Sequence, residues 1–241
     1  SSHPIWRDVE TAVQSTRRLI KIAQQKGALI HVLHVTTEEE IELLAQCKDI
    51  ASVEVTPHHL TMDDTDYQRI GALAQMNPPV RSARHREALW RGITQGIVDV
   101  IGSDHAPHTL EEKARPYPQS PSGMTGVQTI VPLLLDHLNA GRISLARLVD
   151  LTSAGPARLF GIAQKGRVAV GYDADLTIVD LKRREIIRNS WIGSRVGWTP
   201  YDGKTVQGWP IGTLVRGRKV MWEGELVAQS VGAPIRFHAA L

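Results

Sequence analysis

Residues 102–108 read Gly-Ser-Asp-His-Ala-Pro-His and follow directly on the apolar run 97–101. One carboxylate and two imidazoles, Asp104, His105 and His108, crowd into this turn, and Pro107 narrows the directions its neighbours can take. Two further stretches carry similar groups: His31 and His34 in the run 28–35, and Glu54, His58 and His59 around the end of the run 51–55. His31 and His34 are three apart, so in a strand they face opposite sides and at most one of them reaches a shared metal. His34, nearer the C-terminal end, is the candidate, and His31 is expected to pack against outer helices. An imidazole nitrogen and a carboxylate oxygen on separate strands suit Zn²⁺, which leaves a position for water. The chemistry is then hydrolysis, with the water's pKa lowered to about 7 and Asp104 accepting the nucleophile's proton and returning it to the leaving group. Two ligands do not complete such a site, and the sequence offers no obvious third. Asn77, followed by Pro78 and Pro79, has an amide of fixed direction whose donors and acceptor match the edge of a cyclic imide or ureide. Each group also has a purely structural reading: Asp as a turn cap, a strand histidine as core, Asn-Pro-Pro as a turn.

These groups converge only if their elements form one sheet or barrel. Apolar spacing predicts a helix over 8–25 stopped by Gly27, a strand over 28–35, and a helix from the Thr37/Glu40 capping box to about Cys47. A strand over 51–55, a helix over 82–96 and the strand before Gly102 continue the alternation. Alternation of this kind gives parallel strands, in a doubly wound sheet or a (β/α)₈ barrel, whose C-terminal strand ends form the active face. Residues 109–126, with Pro116, Pro118, Pro121, Gly123 and Gly126, form a candidate lid or substrate loop. Helices follow at about 127–139 and 144–160. From about 163 the pattern changes to short antiparallel strands, at 165–171, 174–180, 212–220 and 221–227.

The 241 residues are 42% hydrophobic, enough for a sizeable core, and the net charge of +3 is scattered along the chain, which gives nucleic-acid binding little support. No apolar run is long enough to cross a bilayer and the start does not read as a signal peptide, so a cytoplasmic location is the expectation. Cys47, the single cysteine, reads as core. The chain opens on Ser1-Ser2-His3-Pro4 without an initiator methionine and reads as a fragment entered midway.

Four motifs in order, His-Val-Leu-His-Val-Thr-Thr at 31–37, Glu-Val-Thr-Pro-His-His-Leu at 54–60, Met-Asn-Pro-Pro-Val-Arg at 76–81 and the heptad at 102–108, resemble the dihydroorotases of the amidohydrolase superfamily. The resemblance continues through 152–161, 171–176, 208–210 and 232–237. It implies an α/β fold, a partial (β/α)₈ TIM-like barrel over 1–162 with a C-terminal β-sandwich segment over 163–241. It implies that His34 is a zinc ligand and Asp104 both ligand and general base. Asn77 and His108 would hold the substrate, and the loop around Ser122 and Gly123 would offer backbone groups to its ring. His58 and His59 are read as support for the pocket, while Glu54 and His105 receive no role.

The implied reaction interconverts N-carbamoyl-L-aspartate and dihydroorotate in pyrimidine biosynthesis, with one or two Zn²⁺ ions. A homodimer and association with aspartate transcarbamoylase are implied as partners, with neither nucleic acid nor membrane. Family members also carry, near their start, a His-x-His strand with an arginine, a bridging Lys or Asp and another metal histidine, none of which is found here. The remaining ligands are therefore expected N-terminal to this chain, and the isolated segment, with an unpaired barrel edge, is expected to be inactive alone. The alternatives are a hydantoinase or allantoinase, or a non-catalytic dihydroorotase-like subunit of aspartate transcarbamoylase.

Overall fold

A computed structural model describes residues 2–227 and 231–238. By contacts the chain divides into two compact units, 1–130 with 187–204, and 131–186 with 205–241. This is a division by packing; the expected domains 1–162 and 163–241 are a division by kind of fold.

In the first unit, α1 (His3–Trp6) leads into α2 (Val9–Lys26). Asp8 caps α2 by accepting from the Thr11 N–H, and Gly27 closes it in the left-handed region, as the spacing predicts. Strand β1 (Ile30–Val32), helix α3 (Glu38–Ala45) and strand β2 (Ala51–Val55) follow. The predicted capping box is present: Thr37 accepts from Glu40 N–H, and Glu40 reaches back to the Thr37 backbone. Helices α4 (Pro57–Thr61), α5 (Asp66–Ile70) and α6 (Ala83–Thr94) separate β2 from β3 (Val100–Ile101). The three strands form one parallel sheet in the order β1-β2-β3, with Ile30 opposite Ala51 and Val55 opposite Ile101.

The strands are shorter than their apolar runs. In place of a fuller ladder, the Asp99 carboxylate accepts the Val53 N–H at 2.7 Å, ahead of β3. Val53, Val55, Leu60, Met76, Val80, Leu89, Ile93 and Met124 fill the core. Cys47 is buried, as expected. The segment 109–126 is more ordered than a plain loop. It begins with α7 (Leu110–Lys113), opened by a second capping box, Thr109 with Glu112, that the prolines obscured in the sequence.

In the second unit, α8 (Ile130–Asn139) is followed by α9 (Leu145–Val149) and α10 (Gly155–Leu159). The single helix predicted over 144–160 widens to a π-turn at Asp150–Ala154, where Gly155 N–H bonds to Asp150 O just before Pro156, which has no N–H to donate. Strands β4 (Leu176–Ile186), β5 (Thr205–Val215), β6 (Arg218–Trp222) and β7 (Glu225–Leu226) form an antiparallel sheet in sequence order. Three expectations are corrected, the first being the strand predicted over 221–227, which is broken by a turn at Glu223-Gly224, both at positive φ. Residues 165–171 are not a strand: Gln164, Gly166 and Gly171 all have positive φ, and Lys165 is held in a turn by Asp173, at 2.9 Å, and Asp175. The strand predicted over 212–220 is broken at Arg216-Gly217, where both residues have positive φ as a two-residue hairpin of type I′ requires. Of the expected C-terminal segment, residues 228–230 and 239–241 lie outside the described residues. No helix among the described residues is long and apolar enough to cross a membrane.

Candidate active site

The site residues of the first unit stand where parallel strands end. His34 lies just past β1 and Asp104 three positions past β3, and both adopt the left-handed region, with φ of 38° and 44°. An L side chain pays roughly 1–2 kcal/mol for that conformation, and such strain persists only where the surroundings enforce it. Because His34 is beyond the strand, the opposite-face argument that separated it from His31 does not apply in its simple form. His31 remains in β1, its Nδ1 2.7 Å from Ser52 Oγ and its Nε2 3.6 Å from Glu54.

Glu54 is the group that joins the two strand ends. Its carboxylate accepts the His34 N–H at 3.4 Å and lies over Gly102, where an added Cβ would come within 2.4 Å of it. Only glycine at 102 leaves room for that carboxylate. Partial burial pushes the Asp104 carboxyl above the ordinary carboxylate value; the neighbouring His34 opposes this and Glu54 reinforces it. His34, Glu54 and Asp104 thus share one electrostatic neighbourhood.

The histidines of the second motif occupy α4, opened by Thr56 and Pro57. His59 Nε2 donates to Pro78 O at 3.0 Å and its Nδ1 lies 2.8 Å from Thr56 Oγ1, so the ring props the Asn77-Pro78 segment. Burial pushes His59 down to about 3, keeping it neutral. His58 stacks on Tyr201, with ring centroids 5.7 Å apart, and its Nδ1 is 2.8 Å from the phenol oxygen. Burial, with a smaller contribution from His105, pushes His58 down to about 4. Its Nε2 has no hydrogen-bond partner of ordinary geometry.

The heptad's own histidines divide their work. His105 Nδ1 accepts the Gly126 N–H at 3.0 Å, and the residue bridges to Met124, so His105 holds the loop in place. The His108 carbonyl accepts the Trp198 indole N–H at 2.7 Å, and its ring borders Gly123. Gly123 has φ 137°, and a Cβ there would stand 2.4 Å from Ala106 O and 3.2 Å from the His108 ring. Gly123 N–H donates to Gln75 O at 2.9 Å, which brings the 122–123 segment beside the one that carries Asn77. Asn77 itself is exposed and joined to Pro78 by a cis peptide bond. The structure therefore gathers His34 with Asp104, and the Ser122-Gly123 loop with His108 and with Gln75, two residues before Asn77.

Sequence reasoning left Glu54 without a role and missed Tyr201 and Lys113. The Glu54 signal was present in the alternation of β2; Tyr201 and Lys113 are 143 and 38 positions from their partners His58 and Gln75, and no local pattern links them. Imidazole nitrogen and carboxylate oxygen are a donor set suited to zinc. Among the described residues no group of three or more His, Cys, Asp or Glu is placed to hold an ion. The residues present fit zinc in kind.

The sequence profile of the amidohydrolase family matches residues 10–220. The chain is 39% identical over 231 residues to a dihydroorotase of Halobacterium salinarum, covering 96% of this chain and 54% of that protein. It is 40% identical over 224 residues to a dihydroorotase of Pyrococcus furiosus, covering 92% and 52%. Among solved structures, a D-hydantoinase superposes with TM-score 0.90 at 29% identity over 94% of this chain and 52% of that one. An L-hydantoinase (dihydropyrimidinase) from Arthrobacter aurescens does so with TM-score 0.86 at 35% identity, over 90% and 50%. The chain spans about half the length of the relatives it matches. The α/β barrel-type fold expected from the motifs agrees with these neighbours. With a profile match over most of its length, parallel strand ends that carry His34 and Asp104, and relatives at this identity, the chain belongs to the amidohydrolase family.

Proposed function

We propose that the protein containing this chain is a zinc-dependent dihydroorotase that interconverts N-carbamoyl-L-aspartate and dihydroorotate in pyrimidine biosynthesis. The observation that carries this reading is the pair His34 and Asp104, two left-handed residues at neighbouring strand ends within one electrostatic neighbourhood. The names of the curated relatives support the choice of substrate.

When bound, a zinc ion supplies Lewis acidity and a water of pKa near about 7. His34 and Asp104 are the residues of this chain that would hold it. Asp104 accepts the water's proton as the oxygen attacks the ring carbonyl carbon. As the C–N bond breaks, Asp104 returns that proton to the departing nitrogen. Asn77 and His108 orient the ring, and the backbone of Ser122 and Gly123 meets its N–H and C=O edge. The same proposal includes a homodimer, a cytoplasmic setting, contact with aspartate transcarbamoylase, and a barrel part at 1–162 with a sandwich segment at 163–241. It also holds that these 241 residues alone are inactive, with the remaining zinc ligands outside them.

Hydantoinase activity is the second reading, favoured by the 35% identity to the L-hydantoinase structure. Steady-state assays of the zinc-loaded, full-length gene product with dihydroorotate, hydantoin and allantoin decide between them. A kcat/KM for dihydroorotate about 100-fold or more above the others is expected, a margin that buried polar recognition supplies. Preference for hydantoin would sink the dihydroorotase reading.

A further inference from the structure

Lys113, the last residue of α7, is 2% exposed, and no carboxylate is among its hydrogen-bond partners. Its Nζ donates to three backbone carbonyls instead: Gln75 O at 3.0 Å, Pro121 O at 2.9 Å and Gly123 O at 2.9 Å. An ammonium has three donors, so each finds one acceptor and none is left over. These acceptors come from two segments distant in sequence. One ends two residues before Asn77; the other contains Ser122 and Gly123. Gln75 reinforces the same joint, its Nε2 donating to Ser120 O at 2.7 Å and Ser122 Oγ at 3.2 Å. Ser120 Oγ in turn donates to Lys113 O at 3.3 Å.

A buried ammonium is costly unless it is fully bonded, and desolvation pushes Lys113 down to about 8. A methionine would fill the same space at no such cost. What the ammonium adds is registration, because it fixes three carbonyl oxygens around one point. A methionine leaves those carbonyls without a common donor and the joint held only by the bonds of Gln75.

We propose that Lys113 is a positioning residue that sets the separation between the two substrate-facing segments, Asn77 on one and Ser122-Gly123 on the other. For the identity of the substrate this rests on the cyclic-amide reading above. The position of the ring relative to Asp104 is then set in part by a residue that touches neither ring nor metal. Such a residue affects binding of the ring more than the chemical step.

The test uses Lys113→Met in the full-length gene product that contains this chain, with hydrogen exchange and steady-state kinetics as two readouts. Exchange at the Gly123 amide is expected to quicken about tenfold or more while amides of α6 and β2 keep their protection. KM for dihydroorotate is expected to rise about tenfold with kcat changed less than about threefold, the signature of lost positioning in the bound state. Unchanged Gly123 exchange in a folded variant overturns the proposal, and so does faster exchange with unaltered KM. Should Lys113→Met fail to fold, Lys113→Gln, which still donates two hydrogen bonds, is expected to give intermediate values; wild-type values there overturn the proposal. If the unsubstituted enzyme ignores dihydroorotate and opens hydantoin, the substrate reading falls and the same KM comparison is made with hydantoin. If it opens neither, Gly123 exchange alone decides.

Discussion

Five described residues other than glycine have positive φ, and they fall into two groups that differ in what holds them. Arg216 and Glu223, in the antiparallel unit, each precede a glycine in a two-residue hairpin turn, where the right-handed strand twist itself demands that conformation. Gln164 belongs to the same unit and lies in a turn where it accepts the Asp173 N–H. His34 and Asp104, in the parallel unit, stand at strand ends where no hairpin is made. Their conformation is imposed by neighbours: Glu54 on the His34 backbone, Gly102 yielding room to that carboxylate, and the loop held by His105. One backbone shape is therefore a consequence of turn geometry in one unit and stored strain in the other. Strain of this kind clusters at functional sites, and it singles out His34 and Asp104 as the candidates.

Four substitutions break or sharpen that contrast. The largest effect is expected from Asp104→Ala in the full-length enzyme, with kcat/KM for dihydroorotate reduced roughly 10²- to 10⁴-fold and circular dichroism unchanged. Turnover within a few-fold of wild type would hand the base's role to another residue and reduce the strain at Asp104 to an accident.

Next comes a pair of glycines. Gly123→Ala forces a Cβ to 2.4 Å from Ala106 O at φ 137° and is expected to destabilise by about 2–4 kcal/mol in urea unfolding. Gly224→Ala, in a hairpin with nothing within 4 Å of the new Cβ, is expected to lose only about 1 kcal/mol. Equal losses would show that both units tolerate strain alike.

The smallest effect concerns Asp104→Asn. Because the folded carboxyl holds its proton at a higher pH than the unfolded one, the folded state is favoured by protonation, and stability from this group falls as pH rises through the raised value. In the metal-free protein Asn is therefore expected to stabilise at neutral pH, by less than about 1 kcal/mol since Asp104 keeps some solvent contact, and to lose that advantage toward the ordinary carboxylate range. Thermal melts of both proteins between pH 3 and 8 check this. A constant difference across that range would mean Asp104 titrates normally.

Much of the site was legible because its groups lie in short motifs. The Asp-His-Ala-Pro-His run, the Thr37/Glu40 box and the stop at Gly27 each depend on neighbours a few positions away. The hairpin breaks at Arg216-Gly217 and Glu223-Gly224 were harder to read, since the apolar pattern runs on through them and only the pairing of the strands shows where the chain must reverse. Residues 165–171 misled for the opposite reason: alternating valines resemble a strand, yet Val168 and Val170 are 88% and 104% exposed and pair with nothing in the described sheet.

The sequence by itself determined the kinds of chemistry available, the α/β alternation and the helix caps, because propensity, capping and motif spacing act over a few residues. Only the tertiary structure decided that Glu54 lies between the two strand ends, that His105 accepts a loop N–H, that Tyr201 stacks on His58, and that Lys113 ties Gln75 to Gly123. Those contacts join residues 10 to 143 positions apart, and their strength depends on burial, which no local pattern specifies.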